Sequence, residues 1–379
     1  AEDALQTAFE QALRSWPDAG VPDHPEAWLL TVARNRQRDS WRASSSRDVE
    51  LSDAIAARSP HAWVDPLDSI DPDAIGDKRL ELLFACAHPA IDAKVRAPLM
   101  LQTVFGFEAG QVARAFATSP SAMAQRLVRA KRRIARARIP FAVPGRAEMA
   151  VRAGAVLEAV YGCAAITWRE TAADSLAGEA RYLARTLAAA LEQVRAPTEA
   201  VREAWALAAL VAFSLARRAD EFVPVGEQDP STWDGGLISE AEDALRHAQG
   251  IDGPTGPGRF ELEAAIHAVH AARRTGADLD DDALRTLYLA LLRIAPTTGA
   301  RVAYAAVMGR IASPEAGLAL LEGEDEAFQP LWAVRAELLA RTGRSVEAAS
   351  ACDRAAALAD HPSVRAHLLR RAAELRAAR

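Results

Sequence analysis

The stretch from Ser119 to Arg138 constrains this chain more than any other. Met123, Leu127, Ala130 and Ile134 recur there at steps of four, three and four, a spacing that gathers apolar side chains on one face of an α-helix. Arg126, Arg129, Lys131, Arg132, Arg133, Arg136 and Arg138 fill the places between, with no acid from Arg126 onward. A helix with one apolar stripe and an acid-free cationic remainder suits contact with phosphates. Ser119 is placed to cap it by accepting a backbone N–H, and Pro120 suits its first position because that N–H has no intrahelical partner.

Upstream, a first short helix is expected from Glu108 to Phe116, with Val112, Ala113 and Phe116 facing a core and a brief turn at Ala117-Thr118. Short helix, turn and capped cationic helix follow the order of a helix-turn-helix. Its second helix meets base edges with its leading residues and phosphates with its later cations. On this reading Ser121, Ala122, Gln125, Arg126, Arg129, Lys131 and Arg133 are candidate DNA-binding residues. Gln125 suits adenine and Arg126 guanine, each such pair contributing about 1–3 kcal/mol of discrimination. The competing reading is an ordinary helical hairpin with a solvated basic face.

The whole chain, 379 residues, is long enough for two or three cores. Alanine and leucine dominate it and β-branched clusters are scarce, so an all-α fold is expected. No apolar run approaches the ~18 residues of a membrane span on this reading, and no membrane partner is expected. The net charge of −6 conceals an asymmetry, since the basic segment is offset by an acidic one from Asp65 to Asp77. Cys86, Cys163 and Cys352 are scattered and form no CxxC, which supports neither a disulfide framework nor a zinc site and suits a reducing cytoplasm. The chain opens on Ala1 without a charged-then-apolar leader, and its true start is expected to lie upstream.

Helical periodicity runs from Ala1 to Trp16 and again through AWLLTVARNRQRDSWR, Ala27 to Arg42. The following stretch to Ile75, with Ser44-Ser45-Ser46 and Pro60, Pro66 and Pro72, reads as a linker. Helices are expected from Asp77 to Ala87 and Ile91 to Thr103, then two shorter ones to about Arg138. Pro140 and Pro144-Gly145 mark a boundary, beyond which helix follows helix with loops at Ala219 to Gly236 and Gly250 to Gly258. With Trp332 at the fourth place of a 34-residue tetratricopeptide unit, Ala336, Leu339, Gly343, Ala348 and Ala355 fall on that template, and Gly299 to Leu321 matches more loosely. The expected domains are 1–45, a linker 46–75, a four-helix domain 76–140 and a repeat-like helical domain 145–379.

Three segments resemble the bacterial sigma factors that carry only regions two and four, the extracytoplasmic-function group. AEDALQTAF, Ala1 to Phe9, looks like the region-two helix that docks on the β′ coiled coil of core RNA polymerase, which puts Asp3 and Gln6 at polymerase contacts. AWLLTVARNRQRDSWR looks like the promoter-melting helix. The resemblance implies that Asn35 lines a pocket for a flipped base of promoter DNA, with Asp39 a turn further on, and Arg36 is a candidate phosphate anchor beside them. Region two is amino-terminally incomplete in this chain. Leu82 to Ile134 is similar to region four, which reads the minus-thirty-five element and meets the β flap. LLFACAHPAI, EQDPSTWD, FELEAAIHAVHA and PEAGLAL resemble one subgroup with a tetratricopeptide-like extension, for which a further protein partner is expected.

Cys86 with His88, and His267 with His270, have spacings seen in metal sites, but neither pair is completed by further ligands in the sequence, and packing roles are expected. No glycine-rich phosphate loop, GxSxG or HExxH occurs, so neither catalysis nor a cofactor is expected. The implied function is promoter-specific initiation by RNA polymerase in the cytoplasm. Two alternatives are a helical-repeat interaction protein with a degenerate sigma-like DNA-binding half, and an ordinary helix-turn-helix repressor, which would leave Asp3, Gln6 and Asn35 without a role.

Overall fold

Among the described residues the first helix is capped by Asp77, whose carboxylate accepts the N–H groups of Arg79 and Leu80 at 2.8 and 3.0 Å, and the described chain is helical almost throughout from there. The computed structural model describes residues 77–379, less 117, 138–143, 168–175, 219–221, 254 and 378–379. The two helices and the linker expected before Asp77 lie outside the described residues. Among these residues the fold is all-α, with fifteen α-helices and no strand. The first four are α1 Lys78–Cys86, α2 Ala93–Thr103, α3 Ala109–Ala115 and α4 Pro120–Ala137. Then come α5 Arg146–Thr167, α6 Leu176–Gln193, α7 Thr198–Ala216, α8 Gly235–Gly250 and α9 Arg259–Ala271. The series closes with α10 Asp281–Ile294, α11 Thr298–Ile311, α12 Pro314–Leu320, α13 Gln329–Arg341, α14 Ser345–Leu358 and α15 Pro362–Ala377.

Short polar side chains set many of these starts, each accepting a backbone N–H that the helix cannot satisfy itself, for about 1 kcal/mol apiece. Asp92 opens α2, Asp280 α10, Thr297 α11 and Ser313 α12. The segment EQDPSTWD, between α7 and α8, is a strap bonded to itself. Asp229 accepts from Ser231 N–H at 2.9 Å, the indole N–H of buried Trp233 donates to Gln228 at 3.1 Å, and Asp234 caps α8 through Leu237 N–H at 3.0 Å.

One apolar core runs from Leu80 to Ala271. Its centre is α7, apolar on nearly every side, which packs against α5, α6, α8 and α9 and so is enclosed all round. Helix α5 reaches the other way as well, touching α1, α2 and α3. At Gly162 it lies so close to α2 that an added Cβ would stand 3.0 Å from Leu101 Cδ1. From Glu148 to Thr167, α5 is long and apolar enough by composition to cross a membrane, contrary to the absence of such a run read from the sequence. Here half of that stretch is buried in protein, and its Arg152 is buried too, donating to Phe84 O at 3.1 Å and Glu148 at 2.6 Å.

From α10 onward each helix packs chiefly on its neighbours in sequence, the arrangement of a chain that adds one layer at a time. The template positions Ala336, Leu339, Ala348 and Ala355 are all buried, and Gly343 takes φ +75° in the turn from α13 to α14, where a Cβ would be strained.

Candidate nucleic-acid interface

Helices α3 and α4 form the expected pair and pack on each other, with α2 against α4 and α5 against α3. Gln111 turns back to accept the N–H of Glu108 at 2.9 Å, fixing the start of α3. The chain then turns, with Thr118 N–H donating to Ala113 O at 2.9 Å, and Ser119 Oγ caps α4 by accepting Ala122 N–H at 3.2 Å. Met123 and Leu127 are fully buried on α4, and Ala130 and Ile134 pack against the same core. Two details differ from the sequence reading. Phe116, expected inside, is 37% exposed, because the helix ends at Ala115 and the turn carries the ring outward. And α4 is not a shorter helix: with 18 residues it is the longest of the first four, since nothing after Pro120 interrupts its periodicity.

The candidate residues lie on α4 with Ser121, Gln125, Arg126, Arg129, Lys131 and Arg133 exposed and Ala122 half-buried. At 100° per residue, Ala122, Gln125, Arg126, Arg129 and Arg133 share one face, joined by Arg136. Lys131 stands apart, on the opposite flank of the apolar stripe, and Ser121 lies between. Among the described residues no carboxylate pairs with any cation of α4; the one contact of the stripe is Arg129 Nε donating to Gln125 O at 3.3 Å. Between this face and the start of α2 opens a cleft of about 420 Å³, walled by Arg126, Arg129 and Arg133 and, from α2, by Lys94 and Asp92. Lys94 was not singled out in the sequence. It is remote from α4 along the chain, and only the packing of the two helices puts it there. Such a concentration of unpaired cations can hold anionic oxygens without first breaking an internal ion pair.

Asp3, Gln6, Asn35, Arg36 and Asp39 lie outside the described residues. Cys86 is buried with Sγ 3.7 Å from Thr103 Oγ1, and burial pushes its thiol up. His88 Nδ1 accepts Ala90 N–H at 3.1 Å, and among the described residues no three of His, Cys, Asp and Glu converge in a way that holds a metal.

The chain is 33% identical to an uncharacterized protein of Rhizobium meliloti (strain 1021), over 97% of this chain and 88% of the other. It belongs to that protein's family. Residues 1–47 match Sigma-70 region 2, a match that supports a sigma-factor-like role. Residues 152–249, from α5 to the end of α8, match a family of unknown function, DUF6596. No solved structure matches the chain.

Proposed function

We propose that this protein is an extracytoplasmic-function sigma factor that directs RNA polymerase to particular promoters in the cytoplasm, with residues 145–379 as a tetratricopeptide-like domain that regulates or supports it. In this reading residues 1–45 are region two, 46–75 a linker and 76–140 region four. Asp3 and Gln6 meet the β′ coiled coil, and Asn35, Arg36 and Asp39 hold melted promoter DNA. Ser121, Ala122, Gln125 and Arg126 face base edges of the minus-thirty-five element, while Arg129, Lys131 and Arg133 meet phosphates. The observation that carries this reading is the exposed, acid-free face of α4, set behind a capped turn in a chain whose first segment matches region two. Catalysis belongs to the polymerase.

Run-off transcription with core polymerase and the full chain tests it: specific initiation is the expected result. A folded protein that initiates on no genomic fragment favours the helical-repeat interaction protein instead, and operator binding without polymerase favours a repressor. For the domain that follows, the informative truncation is after Gly276, because the core from Leu80 to Ala271 then stays whole. Unchanged promoter output from that variant would remove α10–α15 from regulation.

A further inference from the structure

Helices α5, α7, α9 and α13, with the loops at 222–228 and 361–363, enclose a cavity of about 790 Å³, within the ~300–1,000 Å³ of small-molecule sites. Much of its wall is apolar, from Leu210, Val211, Phe222, Val225 and Val334. Into this wall is set Arg217, at the end of α7. Its Nη2 lies 2.8 Å from Nδ1 of His267, and its guanidinium carbon is 5.9 Å from the centroid of the Trp233 ring. Its Nε is buried without a hydrogen-bond partner, and no carboxylate pairs with it among the described residues. Glu263, the carboxylate in the same wall, is held by Arg259 at 2.8 Å.

A guanidinium has five N–H donors and is costly to bury without an anion. The local groups do not supply one. Burial, then Arg217 and His270, hold the His267 imidazole neutral well below its ordinary range, so its Nδ1 accepts from Arg217 and the ring supplies no negative charge. Arg273 adds a second cation nearby, and burial brings Arg217 itself down to about 10. The contrast within the same helix bundle is Arg202, whose guanidinium meets Glu261 at 2.8 Å.

We propose that this cavity binds a small amphipathic organic anion, a carboxylate or phosphate ester on an apolar body, with Arg217 as the anchor for the anionic oxygens. The apolar walls receive the body, and the Arg217 guanidinium, whose Nε–H lacks a partner, donates to the head. Binding is a property of the folded chain and does not depend on the promoter reading.

The test is titration calorimetry and thermal melting of the full-length chain with decanoate, decyl phosphate and the neutral decan-1-ol, each below its aggregation limit. Saturable one-to-one binding of at least one anion, tenfold or more tighter than the alcohol, is the expected result, and the better of the two anions identifies the head group. Arg217→Gln should weaken the anion at least tenfold and leave the alcohol unchanged. Val334→Trp, which fills the cavity from α13, should abolish binding of the anion, and it decides the matter if Arg217→Gln fails to fold. The proposal is overturned if neither anion binds, if alcohol and anion bind alike, or if either folded variant keeps full anion affinity.

Discussion

The arginines of α4 and many of those of α5–α15 carry the same charge into opposite circumstances. In the later helices Arg259 reaches both Glu158 and Glu263, Arg181 and Arg185 share Glu240, Arg310 holds Asp281 and Arg301 holds Glu324. On α4 the stripe Arg126, Arg129, Arg133 and Arg136 stands in solvent with no carboxylate paired to it among the described residues, although Asp92 lines the same cleft. A paired cation has its Coulomb attraction satisfied inside the molecule and serves the fold. An unpaired stripe repels itself, and what it gains it gains from something outside. The comparison teaches where to look for partners: where the internal pairing stops, at α4 and again at Arg217.

The sharpest way to break this contrast is to remove one member of a buried pair. Arg202 and Glu261 have side chains only 12% and 8% exposed. Arg202→Met strands a buried carboxylate and should cost about 3–5 kcal/mol in urea unfolding, whereas Arg202→Met with Glu261→Leu should recover most of it. Recovery failing in the double variant would mean that the pair's geometry, and not its charge balance, holds α7 to α9.

Next in size is the loss of the unpaired stripe. Arg126→Ala, Arg129→Ala and Arg133→Ala together should leave folding stability within about 0.5 kcal/mol and weaken DNA binding on the order of a hundredfold at moderate salt. The slope of log affinity against log salt should fall by about 0.9 for each phosphate that these side chains no longer neutralise. An unchanged slope would show that these cations never meet the backbone. Gln125→Ala, by comparison, should cost about 1–3 kcal/mol at one base position only.

A third effect comes from the imidazoles beside the acid-free Arg217. Burial, then Arg217 and other nearby cations, bring His270 down to about 4 against the pull of Asp281, and burial holds His267 well below its ordinary range too. The unfolded chain takes up these protons below about 6.5 while the folded chain does not. Stability is therefore full above that pH and declines as pH falls towards 4, by up to about 1.4 kcal/mol per pH unit for each ring. Urea midpoints from about pH 7 to about pH 4.5, compared between the natural chain and His270→Gln, measure it. Equal declines in both would exclude His270 as a source.

The smallest effect is expected at the exposed pair between Arg114 on α3 and Asp360 before α15, 3.5 Å apart. Asp360→Ala should change stability by less than about 1 kcal/mol and lose even that in high salt.

Much of α1–α4 was legible because its signals are local. Ser119 capping Ala122, Pro120 at the first position and the 123, 127, 130, 134 stripe all act within a few residues, and the structure places each as periodicity requires. PEAGLAL and FELEAAIHAVHA, singled out only for their resemblance to motifs of one subgroup, coincide with α12 and nearly with α9. Phe116 misled because a helix-period count runs on past the residue where the chain turns. The cleft wall at Lys94 and the cavity at Arg217 were illegible in principle, since the cleft joins Lys94 to Arg133 and the cavity joins Tyr161 to Ser363. In the sequence Arg217-Arg218 simply looks like solvated charge at the close of a helix.

Helix α5 has one consequence beyond its place in the core. At neighbouring positions Gly162 abuts Leu101 of α2, beneath the helix-turn-helix, while Tyr161 lines the cavity. The two sites thus share one helix as a common wall, so a displacement of α5 on the cavity side would load the packing of α2 beneath α4.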